Sequence, residues 1–108
     1  AAQFNLGLMY SQGKGVLQDY KEAVKWYRKA AEQGFEDAQF NLGVMYMTGQ
    51  GVLQNNIYAY IWVNIAASSG NAGRVKIRDI TAKKMTSADI FKAQKLAREC
   101  VKKNYKGC

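Results

Sequence analysis

The chain of 108 residues contains no histidine and no proline. Without histidine it lacks the side chain that most often serves as a general base near neutral pH or as a metal ligand. Its two cysteines, Cys100 and Cys108, are too few to hold a zinc ion without histidine. No metal and no other cofactor is therefore expected. Acidic residues are also scarce, eight against sixteen Lys and Arg. No apolar run approaches the roughly 18–20 residues a membrane span needs, and no basic stretch followed by an apolar one marks a targeting segment. The chain opens "AAQFNLG", already in mid-pattern and without Met, so it is expected to be a portion of a longer protein.

What is present describes a globular domain. Apolar residues make up 48% of the chain and charged residues 22%, a balance that separates folded chains from disordered ones. The net charge of +8 is unevenly placed. Residues 1–73 carry five basic and five acidic groups, whereas residues 74–108 carry eleven basic and three acidic ones. An electrostatic partner belongs with the C-terminal third.

The strongest signal is internal repetition. Aligning residues 2–37 with 38–73 gives 18 identities in 36 positions, among them "AQFNLGLMY" with "AQFNLGVMY" and "GKGVLQD" with "GQGVLQN". A period near 36 with no strand pattern predicts helix–turn–helix units, with 2–37 as repeat one, 38–73 as repeat two and 74–108 as a C-terminal capping unit of a single domain. Ala2, Leu6, Met9 and Tyr10 fall at helical spacing and are expected to face inward, with Gly7 allowing a neighbouring helix to approach closely. Asp19 is a good N-cap, with Glu22 three residues on. Ala23, Trp26, Tyr27, Ala30 and Ala31 follow as the inward face, and Gly34 stands where a helix ends in the left-handed conformation. Asn55 and Gly70 play the same parts in the second unit. The glycine loop lacks both the third glycine of a dinucleotide fingerprint and the Gly-Lys-Ser/Thr of a phosphate loop, and it follows a helix rather than a strand. Gly13 and Gly15 are thus read as the left-handed hinges of an elbow, with Val16 and Leu17 pinning it to the core.

The pattern A-x-x-x-L-G-x-x-Y, G-x-G-V and D-x-x-x-A-x-x-W-Y-x-K-A-A-x-x-G, spanning Ala2 to Gly34, resembles the Sel-1-like repeat, a relative of the tetratricopeptide repeat. The second copy follows it through Val52 and departs at Asn55, Val63 and Ile65. The resemblance implies an all-α fold, a right-handed α-solenoid with a C-terminal capping helix, and a non-enzymatic scaffold or adaptor that binds a protein or peptide. Similarity to tetratricopeptide arrays also implies that Phe4, Leu8 and Ser11, with Phe40, Val44 and Met47, line a concave surface. Phe4, Leu8, Phe40, Val44 and Met47 form its apolar strip and are the candidate partner-binding residues. Upstream repeats or a neighbouring subunit covering the strip would be the structural alternative.

The remaining segment closes the array. The second copy's later helix, "NNIYAYIWVNIAASSG", places Ile57, Tyr58, Ile61 and Ile65 where the first has Lys21, Glu22, Lys25 and Lys29. A helix apolar nearly all round is covered on several sides, and the C-terminal segment is the candidate cover. A short helix is expected near Gly73–Lys84. Thr86 and Asp89 then form an N-cap pair, with Met85 and Ile90 as a hydrophobic staple. In the last helix Ile90, Ala93, Ala97, Cys100 and Val101 are expected inward and Lys92, Lys95, Arg98, Lys102 and Lys106 outward.

Three further features bear on chemistry and location. Ser11 and Lys14 match the S-x-x-K of penicillin-recognising serine enzymes, but its S-D-N and K-T-G companions are absent. No catalytic residue is assigned. The basic face of Lys92, Lys95, Arg98 and Lys102 is either solvated surface or an electrostatic tether for an acidic protein or anionic surface. It lacks interleaved aromatics and any nucleic-acid motif, so specific nucleic-acid binding is not expected. Cys100 and Cys108 would form a disulfide if the chain turns back at Gly107, or else one is a buried small hydrophobe and the other a free tail thiol. A disulfide would favour a periplasmic or secreted location, in bacteria, over a cytoplasmic one.

Overall fold

A computed structural model describes residues 1–108 as six helices with no strand. They are α1 (Ala2–Gln12), α2 (Tyr20–Glu32), α3 (Glu36–Thr48), α4 (Asn56–Ala67), α5 (Ala72–Ala82) and α6 (Ser87–Lys102). The molecule is elongated, 42 × 26 × 25 Å. Each of α1, α2 and α3 packs on the next helix in the chain, whereas α4 is flanked by α3, α5 and α6.

Local chemistry sets the helix boundaries. The carboxylate of Asp19 accepts from the amide of Glu22, and Asn55 Oδ1 accepts from that of Tyr58. Asn71 and Thr86 cap α5 and α6 in the same way through Arg74 and Asp89. Each cap satisfies an amide that the first turn leaves without a partner. The two elbows close identically. Gly13 and Gly49 end their helices in the left-handed region, and the amides of Asp19 and Asn55 donate to the carbonyls of Tyr10 and Tyr46 at 2.9 and 3.0 Å.

Helix pairs approach closely at two glycines. A methyl group on Gly7 would lie 2.6 Å from the ring of Tyr27, and one on Gly43 would lie 2.6 Å from Val63 Cγ2. The core runs along α2, α3 and α4, through Ala23, Tyr27, Leu42 and Trp62, and reaches Ala93, Ala97 and Cys100 of α6. Eight of the twelve residues of α4 are buried, as its apolar girth requires.

Four inward assignments differ in the structure. Leu17 is 91% exposed, and its counterpart Leu53 is 90% exposed. The elbow before the N-cap runs extended, so neighbouring side chains point to opposite sides, and Val52 rather than Leu53 packs on the core. On α1 it is Gly7 that is buried, while Ala2 at its first turn is exposed and Met9 is 36% exposed. Val101 is 48% exposed, because α6 turns Ala93, Ala97 and Cys100 towards α4 and leaves the next residue at the edge.

Candidate functional site

The five residues of the apolar strip sit on α1 and α3, all half-buried. Phe4 packs its ring against Tyr27 and Phe35, with centroids 5.8 and 5.1 Å apart. Leu8 also packs against the core. On α3, the guanidinium of Arg74 lies 5.8 Å from the centroid of the Phe40 ring. Met47 Sδ accepts from Thr81 Oγ1 at 3.4 Å, and Val44 lies between them in sequence. The strip is therefore less open than a free apolar face, because Phe35 shields its first end and α5 leans on its second. Arg74 and Thr81, absent from the sequence reading, thus border it.

Arg74 does more than cover Phe40. It pairs with Glu36 at 3.3 Å and with Asp37, and donates to the carbonyl of Ala66 at 3.2 Å. One side chain thereby ties the start of α5 to the start of α3 and the end of α4. The partners lie 8 to 38 residues away in sequence, so no local pattern announces them.

The Ser11–Lys14 match dissolves in the structure. Ser11 Oγ donates to the carbonyl of Leu8 at 3.0 Å and lies 3.1 Å from the Tyr27 hydroxyl. That hydroxyl is used for helix packing, and Lys14 is exposed in the loop beyond.

On α6, Lys92, Lys95, Arg98 and Lys102 are all exposed, and the three ion pairs of the molecule use only Arg74 and Arg78 as cations. Phe91, on the same helix, is 68% exposed. Cys100 and Cys108 are joined as a disulfide, with Cα atoms 5.8 Å apart. The loop so closed turns through left-handed Asn104 and Tyr105, places the Tyr105 ring beside Gly34, and lets Lys106 Nζ donate to the carbonyl of Glu32 at 2.9 Å. No helix is long and apolar enough to cross a membrane.

Helical hairpins that pack one on the next along an elongated molecule define an all-α repeat fold. Residues 1–35 and 36–71 each match the model of the Sel1 repeat, and the chain belongs to that family. It is similar to c5321, a protective antigen of uropathogenic Escherichia coli strains displaying an SLR fold, at 38% identity and a TM-score of 0.89. That match covers 96% of this chain and 23% of the other. A Sel1 repeat protein from Oxalobacter formigenes matches at 42% identity and a TM-score of 0.69, over 71% of this chain and 32% of its own. The chain thus spans a quarter to a third of these solved relatives. No curated protein matches it. Sel1 repeat proteins are generally non-catalytic scaffolds for protein interactions.

Proposed function

We propose that this chain is a bacterial adaptor segment that holds a partner's extended or helical segment on the face formed by α1 and α3. Phe4, Leu8, Phe40, Val44 and Met47 act as anchors, and repeat units 2–37, 38–73 and 74–108 act as one domain. One observation carries the reading. Phe4 with Phe40 and Leu8 with Val44 hold equivalent positions of the two repeats, and neither they nor Met47 is sealed away from solvent. Half-buried apolar positions held rigidly by their neighbours lose little side-chain freedom when a partner covers them. The joined cysteines support an oxidising compartment, the periplasm or outside the cell.

The test is capture of partners from a cell-envelope extract by the chain and by Phe40→Asp, at low and high salt, with circular dichroism to confirm that the variant is folded. A partner retained in high salt and lost with Phe40→Asp supports the face. A partner that binds folded Phe40→Asp undiminished refutes it. A second reading, an electrostatic tether through α6, is favoured by the absence of any acidic neighbour paired to Lys92, Lys95, Arg98 or Lys102. Binding of that kind falls steeply with salt.

A further inference from the structure

The flank of α6 that carries Arg98 borders a groove as well as solvent. Between α4 and α6 lies a cleft of about 270 Å³ whose floor and walls include Ile65, Ala97 and Val101, with Arg98 at its rim. Tyr60 meets Gln94 through a 3.4 Å hydrogen bond, and at the far end of the groove Ser68 lies across from Val101 and Tyr105. The groove is closed at that far end by Tyr105, which the disulfide-tied tail holds in place. Its volume falls below the roughly 300–1,000 Å³ of small-molecule and cofactor sites. It has room for an apolar side chain belonging to a longer segment.

The charges around it specify that segment. Lys95 and Lys102 stand three residues before and four after Arg98, so all three occupy neighbouring positions on one flank of the helix. Phe91, seven residues before Arg98, extends the same flank by two turns. None of these cations is paired. Of the three acids in residues 74–108, Asp79 is paired with Arg78 and Asp89 lies in the first turn of α6, while Glu99, four residues after Lys95 and three before Lys102, is exposed and forms no ion pair. The groove thus has an apolar floor of Ile65, Ala97 and Val101 beside the polar Asn64 and Ser68, with the unpaired Arg98 at its rim. An arginine at such a rim presents a planar fork suited to a carboxylate.

We propose that the α4–α6 groove is a second binding site, which takes an acidic peptide segment carrying one aliphatic side chain. The aliphatic group sits over Ile65, Ala97 and Val101, and flanking carboxylates engage Arg98 and Lys102. The site rests on the reading of α6 as a binding face and gives it a defined occupant, separate from the face on α1 and α3.

The probe is a fluorescein-labelled peptide of sequence Glu-Glu-Leu-Glu-Glu, followed by anisotropy against the full chain at low salt, with the Leu→Ser peptide for comparison. Arg98→Ala, at an exposed position that does not endanger the fold, is expected to weaken binding about tenfold, the loss of one charge-assisted contact. Val101→Ser and the Leu→Ser peptide should each weaken it several-fold, while Lys92→Glu and Phe40→Asp leave it within about twofold. If Lys92→Glu weakens the peptide as much as Arg98→Glu does, the attraction is a diffuse field; the groove is refuted and the tether stands. If the Leu→Ser peptide binds equally well, the apolar part is refuted. If neither peptide binds while vesicles containing phosphatidylglycerol do, the proposal is overturned in favour of a lipid surface. If neither peptide nor vesicle binds, the tether fails with the groove.

Discussion

Gly15 and Gly51 hold equivalent places in the two elbows, with φ of +77° and +75°, yet a methyl group would meet different surroundings at each. At Gly15 the nearest atom is Met9 Cε, 3.6 Å away; at Gly51 it is the carbonyl oxygen of Tyr20, at 2.3 Å. The second elbow is pressed against the start of α2, so Gly51 contributes to the contact between repeats while Gly15 serves only its own turn. Alanine at either position incurs the left-handed penalty, about 1–2 kcal/mol. At Gly51 it must also displace backbone, which adds roughly 1–3 kcal/mol. Gly51→Ala is therefore expected to lower the urea midpoint clearly more than Gly15→Ala. Equal losses would show that the second elbow has slack. The turn glycines and the caps at Asp19 and Asn55 were legible in the sequence because their chemistry is local. The fate of Leu17 was not. In an extended "VL" pair nothing nearby says which residue points inward, and only the neighbouring repeat decides.

Among the elements, α5 shows where legibility ends. Its existence followed from apolar spacing, but its docking depends on Arg74 reaching Glu36, Asp37 and the Ala66 carbonyl. The two carboxylates are about half exposed, so their ion pairs contribute little, on the order of 0–1 kcal/mol each. The bond to the Ala66 carbonyl matters more, since Ala66 is fully buried and its acceptor would lose a donor. Arg74→Ala is expected to cost about 1–3 kcal/mol and to raise amide exchange in α5 ahead of α3. Arg74→Lys should recover only part of this, lacking the second arm of the fork. Uniform exchange across all helices would mean that α5 is not held separately. The same docking explains why the apolar strip was legible as a set of positions and not in its exposure. Phe40 and Met47 were placed by repeat register, while their partial cover comes from a helix whose counterpart residues, Arg74 and Thr81, have no sequence tie to the strip.

At the scale of the molecule, a linear stack in which units touch only neighbours is stabilised unit by unit and is liable to unfold from its ends. This chain has a device against that. The tail closed by Cys100–Cys108 sets Tyr105 beside Gly34 and gives the Glu32 carbonyl a donor in Lys106, so the last unit reaches back to the end of α2 in the first. Closing a loop of eight to nine residues restricts the unfolded tail by about 2–3 kcal/mol on loop-entropy grounds. It also holds Asn104 and Tyr105 in a left-handed turn that side chains rarely adopt. Each repeat carries one tryptophan, Trp26 on α2 and Trp62 fully buried on α4, so the two units can be watched separately in Trp62→Phe and Trp26→Phe proteins. Each is compared only with itself, oxidised and reduced, because the substitutions differ in cost. With the disulfide intact, fluorescence and circular dichroism should trace coincident urea transitions in both proteins. Reduction frees the tail from α2, so the Trp26 signal is expected to move to lower urea by more than the Trp62 signal. α4 retains α3 and α5 on its flanks, whereas α2 loses the contacts of Tyr105 and Lys106 at its C-terminal end. Equal displacement of both signals would mean that the disulfide stabilises α6 on α4 and that the clasp to the first repeat carries no energy of its own.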